Sequence, residues 1–132
     1  MKKNFDVVIV GGGMVGASLA RSLAGSGLSI AVLEAWSLES QHQPSYDDRA
    51  IALSYGTRRI LEGMGVWPAL QDEVEPIRHI HVSDRGRFGF TRLDHRDLEV
   101  DALGYVATGQ LLGQVLSKGL GDQPGICLLY TS

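Results

Sequence analysis

Apolar and polar residues follow a distinct pattern over the first 34 residues. Residues 5–10 (FDVVIV) are β-branched and apolar on both faces, which predicts a buried strand of a parallel sheet. Small and apolar residues predict a helix over about residues 14–24, ended by Gly25 and Gly27, and residues 28–33 (LSIAVL) predict a second buried strand. These elements form a βαβ unit, and we expect its first strand to be central in the sheet.

Shorter elements are predicted for the rest of the chain. Residues 35–48 are polar and aperiodic, which indicates a long loop. Ser54 is expected to cap a helix that ends at Gly65, and Trp67 is expected to be a packing anchor in the turn that follows. The other predicted elements are a hairpin of Ile77 to Ser83 and Phe88 to Leu93 with one solvated face, a strand at Tyr105 to Ala107, a helix from Gln110, and a strand from Gly125 to Tyr130 with no evident partner.

Composition excludes several classes of protein. The chain has 132 residues, of which 44% are apolar and 20% charged, as in a soluble globular protein. Its net charge is −3 and its cations are scattered, which argues against nucleic-acid binding. A lone cysteine, Cys127, fits a reducing compartment, and Asp6 and three consecutive glycines interrupt the N-terminal apolar run that imitates a signal peptide, so a cytoplasmic location is favoured. No apolar run reaches the length of about 20 residues that a membrane span needs. His79 and His81 lack a third ligand at suitable spacing, so we expect no metal site.

A glycine-rich turn follows the first predicted strand. It reads Gly11-Gly12-Gly13-Met14-Val15-Gly16, which fits the pattern G-x-G-x-x-G. In such a turn Gly11 permits the sharp bend, Gly13 lets a pyrophosphate approach the backbone, and Gly16 lets helix and strand pack closely. The helix N-terminus then directs N–H groups at the anion.

Glu34 ends the second strand about 20 residues beyond the motif glycines, where a carboxylate can accept the hydroxyl hydrogens of an adenosine ribose. That carboxylate would repel a 2′-phosphate, so the site favours FAD or NAD over NADP. The alternative interpretation is a glycine-rich turn beside a solvated glutamate.

Arg49 and Gln110 are weaker candidates. Arg49 precedes an apolar segment and could neutralise a pyrophosphate, or it could be a surface arginine paired with Asp47 or Asp48. Gln110 opens a helix and could place its amide near a cofactor, although an ordinary helix start accounts for it equally well.

Five segments together resemble the flavoprotein aromatic hydroxylases of ubiquinone biosynthesis. They are VIVGGGMVG at 8–16, LEA at 33–35, DRAIAL at 48–53, GVW at 65–67 and HVSDRG at 81–86. The resemblance extends from about residue 5 to residue 126. It implies an α/β fold, namely the Rossmann-like FAD-binding βαβ domain of p-hydroxybenzoate hydroxylase, incomplete and with an antiparallel hairpin insertion.

The family resemblance also implies a reaction and its partners. The reaction is hydroxylation of a polyprenyl-methoxyphenol by O₂ through a flavin C4a-hydroperoxide, with FAD as cofactor and NAD(P)H as electron donor. The resemblance also implies that other proteins of ubiquinone biosynthesis are partners, and that the protein lies peripherally at the inner membrane. No catalytic residue is assigned, and residues 107–110 (ATGQ) depart from the usual family pattern. The implied cofactor-binding residues are Gly11, Gly12, Gly13, Met14, Gly16, Glu34, Arg49 and Gln110.

The family pattern predicts a domain organisation too. Residues 1–126 are expected to be the N-terminal part of the FAD-binding domain, and residues 127–132 a non-native tail. The family's later Asp-Gly and Gly-Asp segments and the sheet that covers the substrate are not in this sequence, so we expect the chain alone to be inactive. Two alternatives remain open: a stand-alone dinucleotide-binding module, and part of an NAD-dependent dehydrogenase or a flavin oxidase.

Overall fold

The fold is given by a computed structural model, which describes residues 3–37 and 47–131. The chain forms two units, one of residues 1–49 and 108–132 and the other of residues 50–107. Most of the predicted loop at 35–48 lies outside the described residues. Among the described residues, no helix is both long and apolar enough to cross a bilayer.

The described residues form eight strands and three α-helices. In chain order they are β1 (Val7–Val10), α1 (Met14–Leu23), β2 (Ile30–Glu34), β3 (Ala50–Ser54), α2 (Tyr55–Gly63), β4 (Glu75–Ile77), β5 (His79–Ser83), β6 (Phe90–Asp94), β7 (Gly104–Thr108), α3 (Gly109–Ser117) and β8 (Ile126–Tyr130). Short 3₁₀ turns lie at Trp67–Ala69, His95–Leu98 and Leu120–Asp122.

The first unit contains a parallel sheet with the strand order β1-β2-β8. Val7 lies opposite Ile30 in the parallel β1–β2 pair, which confirms the predicted βαβ unit. The central strand is β2, whose residues 30–32 are at most 1% exposed. The expectation that β1 is central and buried on both faces is wrong for the described sheet, because β8 adds to the other edge of β2. Val8 and Val10 on β1 are 55% and 82% exposed.

The last strand has a partner, contrary to the sequence-based expectation. β8 pairs in parallel with β2 from Ile126 to Tyr130, and the Thr131 N–H donates to the Glu34 carbonyl over 2.9 Å. Cys127 therefore occupies a regular, half-buried place opposite Ala31. One of the grounds for regarding residues 127–132 as a non-native tail is thus removed, and the origin of that segment stays a prediction.

Two helices of the first unit are joined by Arg21, near the end of α1. Its Nε–H donates to the Leu116 carbonyl over 2.5 Å, and its guanidinium also donates to the Lys118 carbonyl. These carbonyls lie at the end of α3, where helices leave acceptors without an intrahelical donor. Partial burial lowers the pKa of Arg21 from its ordinary value. Arg21 therefore fixes α1 against the C-terminus of α3.

The second unit is built around a sheet with the order β3-β7-β4. The Ser54 hydroxyl accepts the Thr57 N–H at 3.1 Å, so the predicted cap of α2 is confirmed. Trp67 is 5% exposed and packs edge-on against Tyr105, with ring centroids 4.8 Å apart, which confirms it as a packing anchor. Gly65 has a φ of +72°, as expected for the residue that ends the helix.

The predicted hairpin is present but differs in two respects. The apolar run that begins at Ile77 divides at Arg78, since β4 pairs with β7 whereas β5 pairs with β6. The expectation of one solvated face is wrong, because residues 81–93 are exposed on both faces. Apolar and polar side chains alternate regularly along β5 and β6, which assigns them to opposite faces of the hairpin. The alternation does not determine whether another element packs on the apolar face.

Candidate functional site

The turn between β1 and α1 is bound tightly to the neighbouring strand. Gly11 adopts a φ of +98°, and its N–H donates to the Leu33 carbonyl over 2.8 Å. Gly13 is the N-cap of α1 and provides no side-chain cap. The N–H groups of the first helical turn, which begins at Met14, have no intrahelical acceptor, which leaves them as donors for a partner outside the helix.

Gly16 is required by a close approach of helix and turn. A Cβ at this position would lie 1.8 Å from the Gly11 carbonyl oxygen and 3.3 Å from Cγ2 of Ile9. The packing role predicted for the third motif glycine therefore has a direct steric basis. A side chain at residue 16 would displace the turn that carries Gly11.

Glu34 is buried, with 8% of its surface exposed. Its Oε2 accepts the Gly12 N–H at 2.6 Å, and its Oε1 accepts the N–H groups of Ala35 at 2.7 Å and Trp36 at 3.1 Å. The interpretation of Glu34 as a solvated glutamate is therefore wrong. Its carboxylate connects the end of β2 to the glycine turn.

An apolar concave surface adjoins the glycine turn. Its volume is about 410 Å³, and it is lined by Ile9, Val10, Gly11, Gly13, Met14, Val15, Gly16 and Leu19. Val10 and Val15 are 82% and 85% exposed, so this surface presents apolar side chains beside the helix N-terminus. Binding sites for small ligands commonly combine apolar walls with a few placed donors.

Arg49 forms an ion pair with Asp47. The Arg49 Nε lies 2.5 Å from Asp47 Oδ2, and the Arg49 backbone N–H donates to Asp47 Oδ1 over 3.2 Å. The Arg49 side chain is nevertheless 83% exposed. The surface pairing considered as the alternative is thus present, and it leaves the outer side of the guanidinium accessible to a ligand.

The start of α3 lies against the same segment. The N–H of Gln110 donates to the Asp47 carbonyl over 2.8 Å, and the N–H of Gly109 donates to the Arg49 carbonyl over 3.0 Å. The Gln110 side chain is exposed. The fold therefore brings together Arg49 and Gln110, which are 61 positions apart in the sequence.

Comparison with known proteins identifies the family. A family model described as FAD binding domain matches residues 4–114. The chain belongs to the FAD binding domain family. The site residues described above all lie within the matched range.

Curated relatives and solved structures resemble this FAD binding domain over nearly its whole length. It is 36% identical over 124 residues to ubiquinone hydroxylase UbiL of Rhodospirillum rubrum, covering 94% of this chain and 29% of the relative. It is 32% identical over 127 residues to 3-demethoxyubiquinol 3-hydroxylase of Escherichia coli, covering 93% of this chain and 32% of the relative. The chain therefore spans less than a third of the length of these relatives.

A solved structure supports the fold in the same way. The crystal structure of p-nitrophenol 4-monooxygenase PnpA from Pseudomonas putida matches with a TM-score of 0.68 and 23% identity, covering 98% of this chain and 32% of that chain. The predicted α/β fold of the p-hydroxybenzoate hydroxylase type is confirmed, as is the resemblance to the hydroxylases of ubiquinone biosynthesis.

Two residues that contact Arg49 and the start of α3 were not singled out from the sequence. Asp47 was considered only as a surface partner of Arg49, and the predicted helix was taken to begin at Gln110, one residue after Gly109. A Cβ on Gly109 would lie 2.9 Å from the Asp47 carbonyl oxygen and 3.0 Å from Asp47 Oδ1. A glycine directly after the capping Thr108 was the available signal, but nothing local indicates which segment approaches it.

The histidines of the hairpin have other partners. His79 Nδ1 lies 3.1 Å from Asp94 Oδ2, and the ring of His81 stacks on Phe90 with centroids 5.3 Å apart. Within residues 3–37 and 47–131, no three His, Cys, Asp or Glu side chains converge as a metal site would require.

Proposed function

We propose that this FAD binding domain is the N-terminal portion of a longer flavin monooxygenase that hydroxylates a polyprenyl-methoxyphenol in ubiquinone biosynthesis. The observation that carries the proposal is the buried Glu34 carboxylate, bonded to the Gly12 N–H beside the helix N-terminus. The names of the curated relatives, ubiquinone hydroxylase among them, support the class of substrate. Because the chain spans less than a third of their length, the activity is proposed for the longer protein.

The residues at the glycine turn fit the pyrophosphate of FAD. Gly13 places no side chain over the first N–H groups of α1, and Gly11 allows the bend that exposes them. The concave surface next to the turn offers apolar contact through Val10 and Val15. When bound, FAD would supply the redox chemistry that uses O₂ and an NAD(P)H donor. The part of this chain is to hold the dinucleotide.

Glu34 supports recognition of an adenosine ribose. A carboxylate has about four acceptor positions, and three are taken by the N–H groups of Gly12, Ala35 and Trp36. The remaining position is available to a ribose hydroxyl. A 2′-phosphate would bring further negative charge to a buried carboxylate, so the geometry favours FAD or NAD over NADP.

Arg49 is suited to phosphate oxygens. Its Nε is engaged by Asp47, and the terminal nitrogens carry N–H groups arranged as a planar fork. Since the side chain is 83% exposed, that fork can approach a ligand without moving the backbone. We assign Arg49 to the FAD phosphates or the flavin edge, and Gln110 to a polar contact with the ribityl part of FAD.

FAD binding by the purified chain tests the proposal. Titration calorimetry with FAD would compare the wild-type chain with Gly13→Val and Arg49→Ala. We expect no measurable binding by Gly13→Val, because its side chain covers the anion position, and about 10- to 100-fold weaker binding by Arg49→Ala. Arg87→Ala is the matched control, since Arg87 is also 83% exposed and paired with an aspartate, Asp84. Unchanged affinity in both site variants would contradict the assignment.

The choice of nucleotide separates this proposal from its alternatives. Titration of the wild-type chain with NAD, NADP and FAD should give the tightest binding for FAD. Tight NAD binding without FAD binding would favour an NAD-dependent dehydrogenase. FAD binding by a protein whose gene encodes nothing further would favour a stand-alone module.

The activity itself is tested on the longer protein. Beyond codon 126 its gene should encode the rest of the longer protein, and the purified product should incorporate one oxygen atom from ¹⁸O₂ into a polyprenyl-methoxyphenol while consuming NADH or NADPH. We propose that it works at a membrane surface, because the prenyl tail of such a substrate partitions into lipid, and that it acts beside other proteins of ubiquinone biosynthesis. A full-length protein that binds FAD but leaves the ring unmodified would exclude the proposed reaction.

A further inference from the structure

Asp47 connects the two candidate residues that sequence reasoning treated separately. Its Oδ2 lies 2.5 Å from the Arg49 Nε, and its Oδ1 accepts the Arg49 backbone N–H at 3.2 Å. Its carbonyl accepts the Gln110 N–H at 2.8 Å. One residue thus holds both the side chain of Arg49 and the start of α3.

The approach of α3 to Asp47 leaves no room for a side chain at residue 109. A Cβ on Gly109 would lie 2.9 Å from the Asp47 carbonyl oxygen and 3.0 Å from Oδ1, closer than nine in ten real Cβ contacts. The Gly109 N–H also donates to the Arg49 carbonyl over 3.0 Å. Asp47 is therefore held by two backbone N–H donors, those of Arg49 and Gln110, and by the close packing of Gly109, although its own side chain is 37% exposed.

We propose that Asp47 is a positioning residue that aims the Arg49 guanidinium at the phosphates of FAD. This inference rests on the function proposed above. A free arginine side chain samples many rotamers, and ordering it on a ligand costs rotamer entropy. Asp47 binds Nε, the inner nitrogen, and so restrains the side chain before the ligand arrives while its terminal nitrogens stay exposed.

The direction in which FAD affinity changes when Asp47 is removed distinguishes a positioning role from simple neutralisation of the Arg49 charge. A carboxylate near an anionic ligand repels it, so an Asp47 that merely neutralises Arg49 would weaken FAD binding. Its removal would then tighten binding. If Asp47 positions Arg49, its removal instead weakens binding despite the loss of a negative charge, and the weakening depends on Arg49 being present.

The experiment is a double-mutant cycle on FAD affinity in the 132-residue chain. Asp47→Ala and Asp47→Asn are each measured with Arg49 intact and in the Arg49→Ala background. We expect Asp47→Ala to weaken FAD binding by about 5- to 20-fold with Arg49 intact and by less than about 2-fold without it. Asp47→Asn keeps an acceptor for the Arg49 backbone N–H but loses the charge, so its affinity should fall between wild type and Asp47→Ala. Asp84→Ala, which removes the partner of the equally exposed Arg87, should leave the affinity unchanged.

The outcomes separate this inference from the proposed function. If the wild-type chain binds FAD and Asp47→Ala binds it equally or more tightly, the positioning role is overturned while the FAD site stands. Equal losses in both Arg49 backgrounds also overturn it, because Asp47 would then act on the fold alone. If the wild-type chain alone does not bind FAD, the same cycle is measured in the longer protein, and failure of that protein to bind FAD removes the proposed function and the positioning role with it. NMR exchange of the Gly109 and Gln110 amides shows whether each variant keeps α3 in place.

Discussion

Substitution of Gly16 by alanine should destabilise the first unit through a backbone clash. The new Cβ would lie 1.8 Å from the Gly11 carbonyl oxygen and 3.0 Å from the Gly11 carbonyl carbon. Real Cβ atoms essentially never approach within 3.0 Å of another atom, so the start of α1 or the turn must move. Backbone cannot rotate away as a flexible side chain would.

The expected magnitude combines a cost and a gain. Overpacking of this kind costs about 1–3 kcal/mol or more, and contact with backbone places Gly16→Ala at the upper end. Alanine gains about 1 kcal/mol over glycine inside a helix. The net loss in the free energy of unfolding is therefore about 2 kcal/mol, and the Gly11–Leu33 hydrogen bond that orients the turn should weaken as well.

The assay is urea unfolding of the purified chain, followed by circular dichroism and by exchange of the Gly11 amide. Gly63→Ala in α2 is the matched control, because a Cβ there would meet nothing within 4 Å and Gly63 lacks a positive φ. That variant should be more stable than wild type by about 0.4–1 kcal/mol. Both substitutions replace glycine by alanine, yet they should change the free energy of unfolding in opposite directions.

A Gly16→Ala variant as stable as wild type would refute the reasoning. It would mean that α1 can move away from the turn at no cost, and the close packing of helix and strand would then not be a requirement of the site. Unchanged FAD affinity in the same variant would show that cofactor binding does not depend on the geometry of the turn.

Three further predictions concern charged side chains. Arg58→Ala should lower the free energy of unfolding by about 2 kcal/mol, because it removes a 2.9 Å hydrogen bond to a tyrosine hydroxyl and contacts with two aromatic rings, whereas the exposed Arg59→Ala should change it by less than about 0.5 kcal/mol. Urea unfolding measures both, and equal effects would contradict the structure. The pKa of Asp94 should lie well below its usual range, since the side chain and backbone N–H of Arg96 bond its carboxylate. Because the folded-state pKa is lowered, the ionised carboxylate stabilises the fold above about pH 4, and this stability is lost as the pH falls through the folded-state pKa. NMR should therefore find Asp94 still ionised at about pH 3, and a titration midpoint near 4 would contradict the prediction. Arg21→Met should destabilise the first unit by about 1–2 kcal/mol by removing the donors at the end of α3, and unchanged amide exchange in that helix would argue against this cap.

Much of the fold could be predicted because its signals are local. The β-branched run before Gly11, the small residues of α1 and the glycines after it each restrict the backbone within a few residues. The cap at Ser54 is of the same kind, as are the turn residues of the hairpin. Strand order was predicted less well: β1 was expected at the centre of the sheet, and β8 was expected to lack a partner.

The candidate site likewise contains residues that local signals could indicate and a contact that they could not. Gly11, Gly13 and Glu34 could be proposed as site residues from spacing, because a glycine turn and a carboxylate at a strand end are set by the βαβ unit itself. The contact of Asp47 with Gly109 could not. Segments separated by about 60 residues meet according to how sheets and helices pack, and no periodicity in either segment encodes that meeting.

By itself the sequence determined the βαβ unit, the glycine turn and the residue types that an FAD site needs. These follow from backbone conformation, from the two-residue period of strands and from the steric freedom of glycine. The tertiary structure decided that Glu34 is buried against Gly12, that β8 completes the sheet beside β2, and that Asp47 ties Arg49 to the start of α3. Burial and long-range hydrogen bonds depend on which surfaces exclude water from each other, and that is settled when the whole unit packs.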